Sequence, residues 1–172
     1  KTAKQLLLFI SFLGISMVSF SQSEIDLLIL NKNYDKALLQ IEQQIGLNPS
    51  AQLYFKKGLV YNQVQNYQEA VKAFSEALEM QPENVEILSE MAEDFSILGN
   101  QQDAIVYFKK AIELEPKNLT LKAKLGRVYI NKKMMKQAYD LFSEIYATDS
   151  SNVYWNKQFA YCSFRLCILR QY

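Results

Sequence analysis

The sequence contains no histidine among its 172 residues and has only 2 cysteines, 3 prolines and 5 glycines. Without histidine the chain lacks the side chain that proteins use most often as a general base and as a metal ligand. The small number of glycines and prolines favours long helices over an architecture with many tight turns. Because 49% of the residues are hydrophobic, the composition is typical of a folded chain and excludes the intrinsically disordered class.

The sequence also lacks the motifs of the common enzyme classes. It contains no glycine-rich phosphate loop and no paired-cysteine metal knuckle, and without histidine it cannot form a histidine-containing catalytic triad. Acidic residues cluster at Glu86, Glu90, Glu93 and Asp94. On a helix such a cluster is usually solvated surface. We therefore predict no catalytic residue, no cofactor and no metal site, and we expect the protein not to be an enzyme.

Residues 1–21 have the three-part pattern of a secretory signal peptide. Lys1 and Lys4 form a positively charged start, residues 6–20 form an apolar stretch, and a small-residue cleavage site follows Ser21. The alternative is an uncleaved anchor, but this stretch of 15 residues is shorter than the roughly 20 apolar residues that span a bilayer as a helix. We predict an exported protein, periplasmic or envelope-associated if the host is bacterial, without stable membrane insertion after cleavage.

Charge and cysteine content limit the partners further. Without the leader the chain carries 17 lysines and arginines against 18 acidic residues, a net charge of −1. This near-neutral balance gives no electrostatic reason to expect a nucleic-acid partner. Cys162 and Cys167 lie five residues apart in a predicted helix, beyond the reach of a disulfide. We expect both to be small buried hydrophobic residues, with a bond to another chain as the alternative.

A skeleton of small and aromatic residues recurs every 34 residues, in units 51–84, 85–118 and 119–152. The units agree at positions 8 (Gly58, Ala92, Gly126), 11 (Tyr61, Phe95, Tyr129), 20 (Ala70, Ala104, Ala138) and 24 (Phe74, Phe108, Phe142). Each unit divides into two amphipathic stretches, which in the first unit run from about residue 51 to 64 and from 67 to 80. Since one pair of helices cannot bury its apolar face alone, the repetition predicts a stack of such pairs.

The order of small, aromatic, alanine, aromatic, alanine and proline positions resembles the tetratricopeptide repeat family. The resemblance implies an all-α fold, a right-handed superhelical solenoid of helix–turn–helix repeats. Residues 22–50, with Tyr34, Ala37 and Pro49, resemble an imperfect N-terminal repeat. Residues 153–172 resemble the first helix of a further, incomplete repeat.

The resemblance also implies where a partner binds. In this family the second, fifth, ninth and twelfth residues of each unit line a concave groove that binds extended or helical peptides. We call these residues the first-helix stripe, and from it we predict protein-binding contacts at Phe55, Leu59, Glu93, Arg127, Tyr154 and Tyr161. The alternative for the apolar members is partial burial under neighbouring helices.

One known ligand of the family is not expected. Chaperone-binding members clamp a terminal carboxylate with several lysine, arginine and asparagine side chains. At the corresponding positions this chain has Phe55 and Leu59, then Ala123 and Arg127, so only Arg127 fits. One positive charge does not replace a clamp with many donors.

We interpret the chain as an exported protein–protein interaction module, an adaptor, scaffold or assembly factor, that binds a peptide or protein segment in its groove. The alternative is an extracytoplasmic sensing or regulatory portion of a longer signalling protein or enzyme, because the last unit is unfinished. Apolar residues surround the last predicted helix, which further predicts self-association through it.

Overall fold

The computed structural model describes residues 24–169, which form helices joined by short turns. Residues 24–30 are helical (α1), and the helices that follow are α2 (Tyr34–Leu47), α3 (Ala51–Gln63), α4 (Tyr67–Met80), α5 (Val85–Ile97), α6 (Gln101–Leu114), α7 (Leu119–Asn131), α8 (Met135–Thr148) and α9 (Val153–Leu169). No strand occurs in this range, which confirms the all-α prediction. The predicted signal peptide lies outside the described residues.

The helices pack in the order of the chain. From α2 onward each helix contacts the next one, and α5 also contacts α7. The three 34-residue units correspond to the pairs α3/α4, α5/α6 and α7/α8. Pairs that pack on their neighbours in chain order form a solenoid. Across residues 24–169 no helix combines the length and the apolar content that a membrane span requires.

Polar side chains fix the starts of the helices. The side chains of Asn84 and Asn118 accept hydrogen bonds from backbone N–H groups three residues later, at 3.1 and 3.2 Å, at the starts of α5 and α7. Ser50 does the same for α3 at 3.4 Å. Each cap satisfies a backbone donor that the first turn of a helix leaves unpaired. The first helix of each unit therefore begins at a defined residue.

The second helices end near the thirty-second position of each unit. α4 and α6 end two residues before Pro82 and Pro116, as expected for a residue that cannot continue a helix. The third unit has Ser150 at this position, yet α8 ends at the equivalent place. There the Asp149 carboxylate accepts a hydrogen bond from the backbone N–H of Ser151 at 2.9 Å. A turn held by this side chain thus takes the place of proline.

The repeated skeleton forms the core between the two helices of each unit. Phe74, Phe108 and Phe142 are at most 1% exposed. In the first and third units the phenylalanine ring lies directly on a glycine of the preceding helix, Gly58 or Gly126. The small residue at position 8 lets the two helices approach closely, and the aromatic residue at position 24 fills the space beside it.

The last helix, α9, is covered on one side only. Cys162 is fully buried, and Phe159 packs against Tyr139 and Tyr146 of α8 with ring centroids 5.3 and 5.2 Å apart. Cys162 and Cys167 form no disulfide with each other. The expectation that both are buried is wrong for Cys167, which is exposed because it lies on the uncovered side of the helix.

Candidate functional site in the first-helix stripe

The first-helix stripe is apolar and half-buried in the first unit. Phe55 packs against Phe74 with ring centroids 5.7 Å apart and ring planes tilted by 42°. Leu59 packs against the same buried cluster. Gln52 is exposed, and Asn62 is half-buried. Phe55 and Leu59 thus contribute to the core and also retain part of their surface for a ligand.

In the second unit an ion pair links the stripe on α5 to α7, the first helix of the third unit. Glu93 of α5 forms an ion pair with Lys124 of α7, and the Lys124 ammonium also donates a hydrogen bond to the Ser89 hydroxyl at 3.1 Å. A similar link joins Lys56 of α3 to Asp26 of α1 at 2.5 Å. Lys56 and Lys124 both occupy the sixth position of their units. In α7, the sixth residue therefore contacts the fifth and ninth residues of the preceding unit.

Further exposed members of the stripe lie in the third unit and in α9. Arg127 is exposed, and Tyr154 and Tyr161 are 48% and 44% exposed. Phe164, the last stripe residue, is 65% exposed. Aromatic and arginine side chains are enriched in protein interfaces, so these residues are suitable contacts. Self-association through α9 stays a prediction.

A buried carboxylate lies beside the stripe. Asp94 is 1% exposed, and neither of its carboxylate oxygens has a hydrogen-bond partner among the described residues. Burial raises the pKa of Asp94 to about 7, the charges of Glu90 and Glu93 add to this shift, and the Asn62 side-chain amide, which can donate a hydrogen bond to the carboxylate, opposes it. The side-chain oxygen of Asn62 is itself buried and unpaired.

The surface at the start of α5, on the N-terminal side of Asp94, is acidic. A cavity of about 280 Å³ lies at the starts of α5 and α7, and Glu86, Glu90 and Lys124 are among its lining residues. Burial raises the pKa of Glu90, to which the charge of Glu93 also contributes, whereas Lys124 lowers it. Within residues 24–169 no three histidine, cysteine or acidic side chains are placed to hold a metal ion. The arrangement can bind a cationic group, and it offers no metal centre of this kind.

Two features of the site were missed in the sequence. Lys124 lies outside the four stripe positions, so its link to Glu93 was not predicted. Asp94 was noticed only as part of an acidic cluster, although it is buried. Both could have been found by aligning the units, because position 6 reads Lys56, Glu90, Lys124 and position 10 reads Val60, Asp94, Val128.

Two family models match the chain. Both are described as tetratricopeptide repeat, and they match residues 51–84 and 98–158, together more than half of the chain. The chain belongs to the tetratricopeptide repeat family. Comparison with curated protein sequences finds no match.

Solved tetratricopeptide repeat structures have the same fold. A MamA fragment from Desulfovibrio magneticus RS-1 is 11% identical, with a TM-score of 0.79 over 86% of this chain and 84% of that one. YrrB, described as having an unusual peptide-binding site, is 22% identical, with a TM-score of 0.71 over 80% and 72%. The first repeat domain of Spaghetti (RPAP3), bound to an HSP90 peptide, is 16% identical, with a TM-score of 0.64 over 69% and 94%. At these identities the similarity shows the solenoid fold alone.

Proposed function

We propose that this tetratricopeptide repeat protein is an exported interaction module, an adaptor, scaffold or assembly factor, that binds a peptide or protein segment along its first-helix stripe. The observation that carries the proposal is the contrast between core and stripe. The core residues repeat from unit to unit, whereas the stripe changes from apolar to acidic and then to exposed arginine and aromatic residues. A surface that varies over a constant skeleton is expected where specificity is determined.

The solved structures support a peptide as the ligand class. YrrB is described by its peptide-binding site, and the Spaghetti domain is bound to an HSP90 peptide. The first helices of a tetratricopeptide repeat solenoid line its concave face, so a segment lying there contacts several units at once. The stripe of this chain carries Phe55, Leu59 and Ala123 where carboxylate-clamping members have polar donors. We therefore propose a ligand other than an acidic C-terminal peptide, and we assign no reaction to this surface.

The proposal is tested by capturing partners with the purified protein from an envelope extract and identifying them by mass spectrometry. The test variant combines Phe55→Glu with Arg127→Glu. The matched control combines Val106→Glu with Lys109→Glu on α6, which makes the same change in charge at two exposed positions of a second helix. We expect partners to be lost with the stripe variant and kept with the control. Partners that persist with the stripe variant, with both variants folded by circular dichroism, would contradict the proposal.

Export is tested separately. The full 172-residue chain is expressed in a bacterial host, and the mass of the mature protein is measured after cell fractionation. We expect a protein that begins at Gln22 in the envelope fraction, because the leader pattern ends at Ser21. A chain that keeps residues 1–21 would contradict cleavage.

A further inference from the structure

The second unit departs from its neighbours at the sixth position of the first helix. Lys56 and Lys124 hold this position in the first and third units, and each forms an ion pair with the first helix that precedes it. The second unit has Glu90 instead. The same register predicts that Glu90 lies beside the fifth and ninth residues of α3, which are Phe55 and Leu59. A lysine is thus replaced by an acid beside an apolar surface.

The tenth position of the first helix also carries an acid in the second unit, where the neighbouring units carry valine. Val60 and Val128 fill it in the neighbouring units and are 0% and 2% exposed. In the second unit Asp94 is buried there, and neither carboxylate oxygen makes a hydrogen bond of 3.5 Å or less to the described residues. Asn62 of α3 interacts with this carboxyl group, and the side-chain oxygen of Asn62 is itself buried and unpaired. A buried carboxylate is costly unless a cation or hydrogen-bond donors compensate it. We call the contact between α3 and α5 around Glu90, Asp94 and Asn62 the acidic seam. The buried oxygens of Asp94 and Asn62 are unpaired there.

The nearby lysines already have partners. Lys56, Lys57 and Lys124 each form an ion pair with an acid other than Glu90 or Asp94. In the described part of the chain no ion pair reaches Glu90 or Asp94. A basic group from outside the chain can therefore pair with these acids without displacing a lysine of the chain.

We propose that a lysine or arginine side chain of the bound segment lies on the acidic seam and places its cation at the half-buried Glu90, one helical turn from the buried Asp94. Its alkyl stem lies on Phe55 and Leu59, because long basic side chains cover apolar surface while their charged ends reach polar groups. The phenylalanine ring adds a favourable cation–π interaction, and carboxylate acceptors form charge-assisted hydrogen bonds. This inference rests on the proposed function and specifies the chemistry of the ligand.

Two other occupants fit the seam less well. A metal ion lacks the three suitable ligands in residues 24–169, and α3 contributes Asn62 beside apolar side chains instead of a further carboxylate. A protonated Asp94 can donate a hydrogen bond to the Asn62 oxygen, which satisfies both groups without any ligand. That arrangement leaves Glu90 without a partner, and the experiment below separates it from a ligand site.

The experiment selects a phage-displayed library of random decapeptides on the purified protein and measures the Kd of the best peptide by fluorescence anisotropy. The peptide is then remade with norleucine, an uncharged residue of similar length, in place of its basic residue. We expect the selected peptides to contain lysine or arginine, and norleucine to weaken binding at least about tenfold, as for a charge-assisted contact. In the variant with Glu90→Gln and Asp94→Asn, the two peptides should bind within about twofold of each other.

Controls make the outcomes distinct. Glu79→Gln with Glu113→Gln removes two exposed acids of the second helices and should retain the preference for the basic peptide. Glu90→Lys places a lysine at the position that Lys56 and Lys124 hold in the other units. It should weaken binding of the basic peptide at least about tenfold. This variant also provides the test if the double variant does not fold. If both peptides bind the unmodified protein equally, the inference is overturned. If Phe55→Glu with Arg127→Glu also abolishes that binding, the proposed function still stands. Failure to enrich any peptide would overturn both.

Discussion

Gly126 of α7 lies so close to the ring of Phe142 of α8 that a Cβ built on the glycine would be 2.6 Å from Cε2 of that ring. Gly58 of α3 and the ring of Phe74 of α4 are in the same relation two helix pairs earlier, in the first unit. Real Cβ atoms do not approach neighbouring atoms this closely, so a larger residue must displace the ring. Because this contact packs α3 and α7 closely on their partner helices, it also positions the first-helix stripe in these two units.

Substitution of Gly58 by valine tests this packing. We expect Gly58→Val to lower the free energy of unfolding by about 2 kcal/mol, the typical cost of overpacking a core, measured by urea denaturation. The control is Gly46→Ala in α2, where an added Cβ has no neighbour within 4 Å. We expect this change to stabilise the protein by at most about 1 kcal/mol, since alanine is the better helix former. An unchanged urea midpoint for Gly58→Val would show that the ring of Phe74 is not held as described.

The buried carboxylate of Asp94 predicts an unusual dependence of stability on pH. Its pKa is raised from 3.8 to about 7, so the folded protein binds this proton more tightly than the unfolded chain does. The favourable contribution of this proton to folding stability is therefore fully present below pH 3.8 and is lost as the pH rises to about 7. We expect Asp94→Asn to raise the thermal midpoint at pH 7.5 and to have almost no effect at pH 4.

Thermal denaturation at several pH values measures this effect. Glu79→Gln is the control, because it neutralises an exposed acid of a second helix. A gain from Asp94→Asn that is equal at pH 4 and pH 7.5 would contradict the assignment of the titration to this carboxyl group.

The ion pair between Glu93 and Lys124 predicts a measurable coupling between first helices. The side chains are 29% and 26% exposed, so they are partly shielded from water. A double-mutant cycle with Glu93→Gln and Lys124→Met should give a coupling energy of about 0.5–1 kcal/mol. The comparison is the pair of Lys136 and Asp140 on α8, whose side chains are 79% and 57% exposed, and about 0.3 kcal/mol is expected there. Equal coupling energies for the two pairs would contradict a specific link between α5 and α7.

The two cysteines should differ in reactivity. Burial raises the pKa of the Cys162 thiol, whereas Cys167 is exposed. Because the thiolate is the reactive form, iodoacetamide should modify Cys167 at least about tenfold faster than Cys162 in the native protein. Mass spectrometry of peptides measures both rates, and the difference should disappear in concentrated urea. Equal rates without urea would show that α9 does not pack on α8 as described.

Much of the fold follows from local patterns in the sequence. The repeated small and aromatic residues, such as Gly58 and Phe74, predict the helix pairs because their contacts recur within each unit. Pro82 predicts the end of a helix because proline cannot continue one. The same reasoning does not apply at Ser150. There the backbone N–H of Ser151 donates a hydrogen bond to the Asp149 carboxylate in the turn that follows α8. The sequence therefore predicts what recurs in every unit better than what occurs once.

The site was predicted less completely than the fold. The stripe positions come from the family and describe one helix at a time, so they contain Glu93 but not Lys124, which reaches it from the next unit. Asp94 was overlooked because an acid in a charged run is usually exposed, and its burial depends on how α5 meets α3. Contacts between units depend on three-dimensional register, which a linear pattern does not contain.

Site-specific cross-linking in the cell envelope tests most directly whether the first-helix stripe is the binding surface. A photoreactive benzoylphenylalanine replaces Thr120, an exposed stripe residue, in one sample and Lys109, an exposed residue of the second helix α6, in another. We expect a covalent adduct with a partner protein from position 120 and none from position 109. An adduct from position 109 alone would place the binding surface on the second helices and contradict the proposed function.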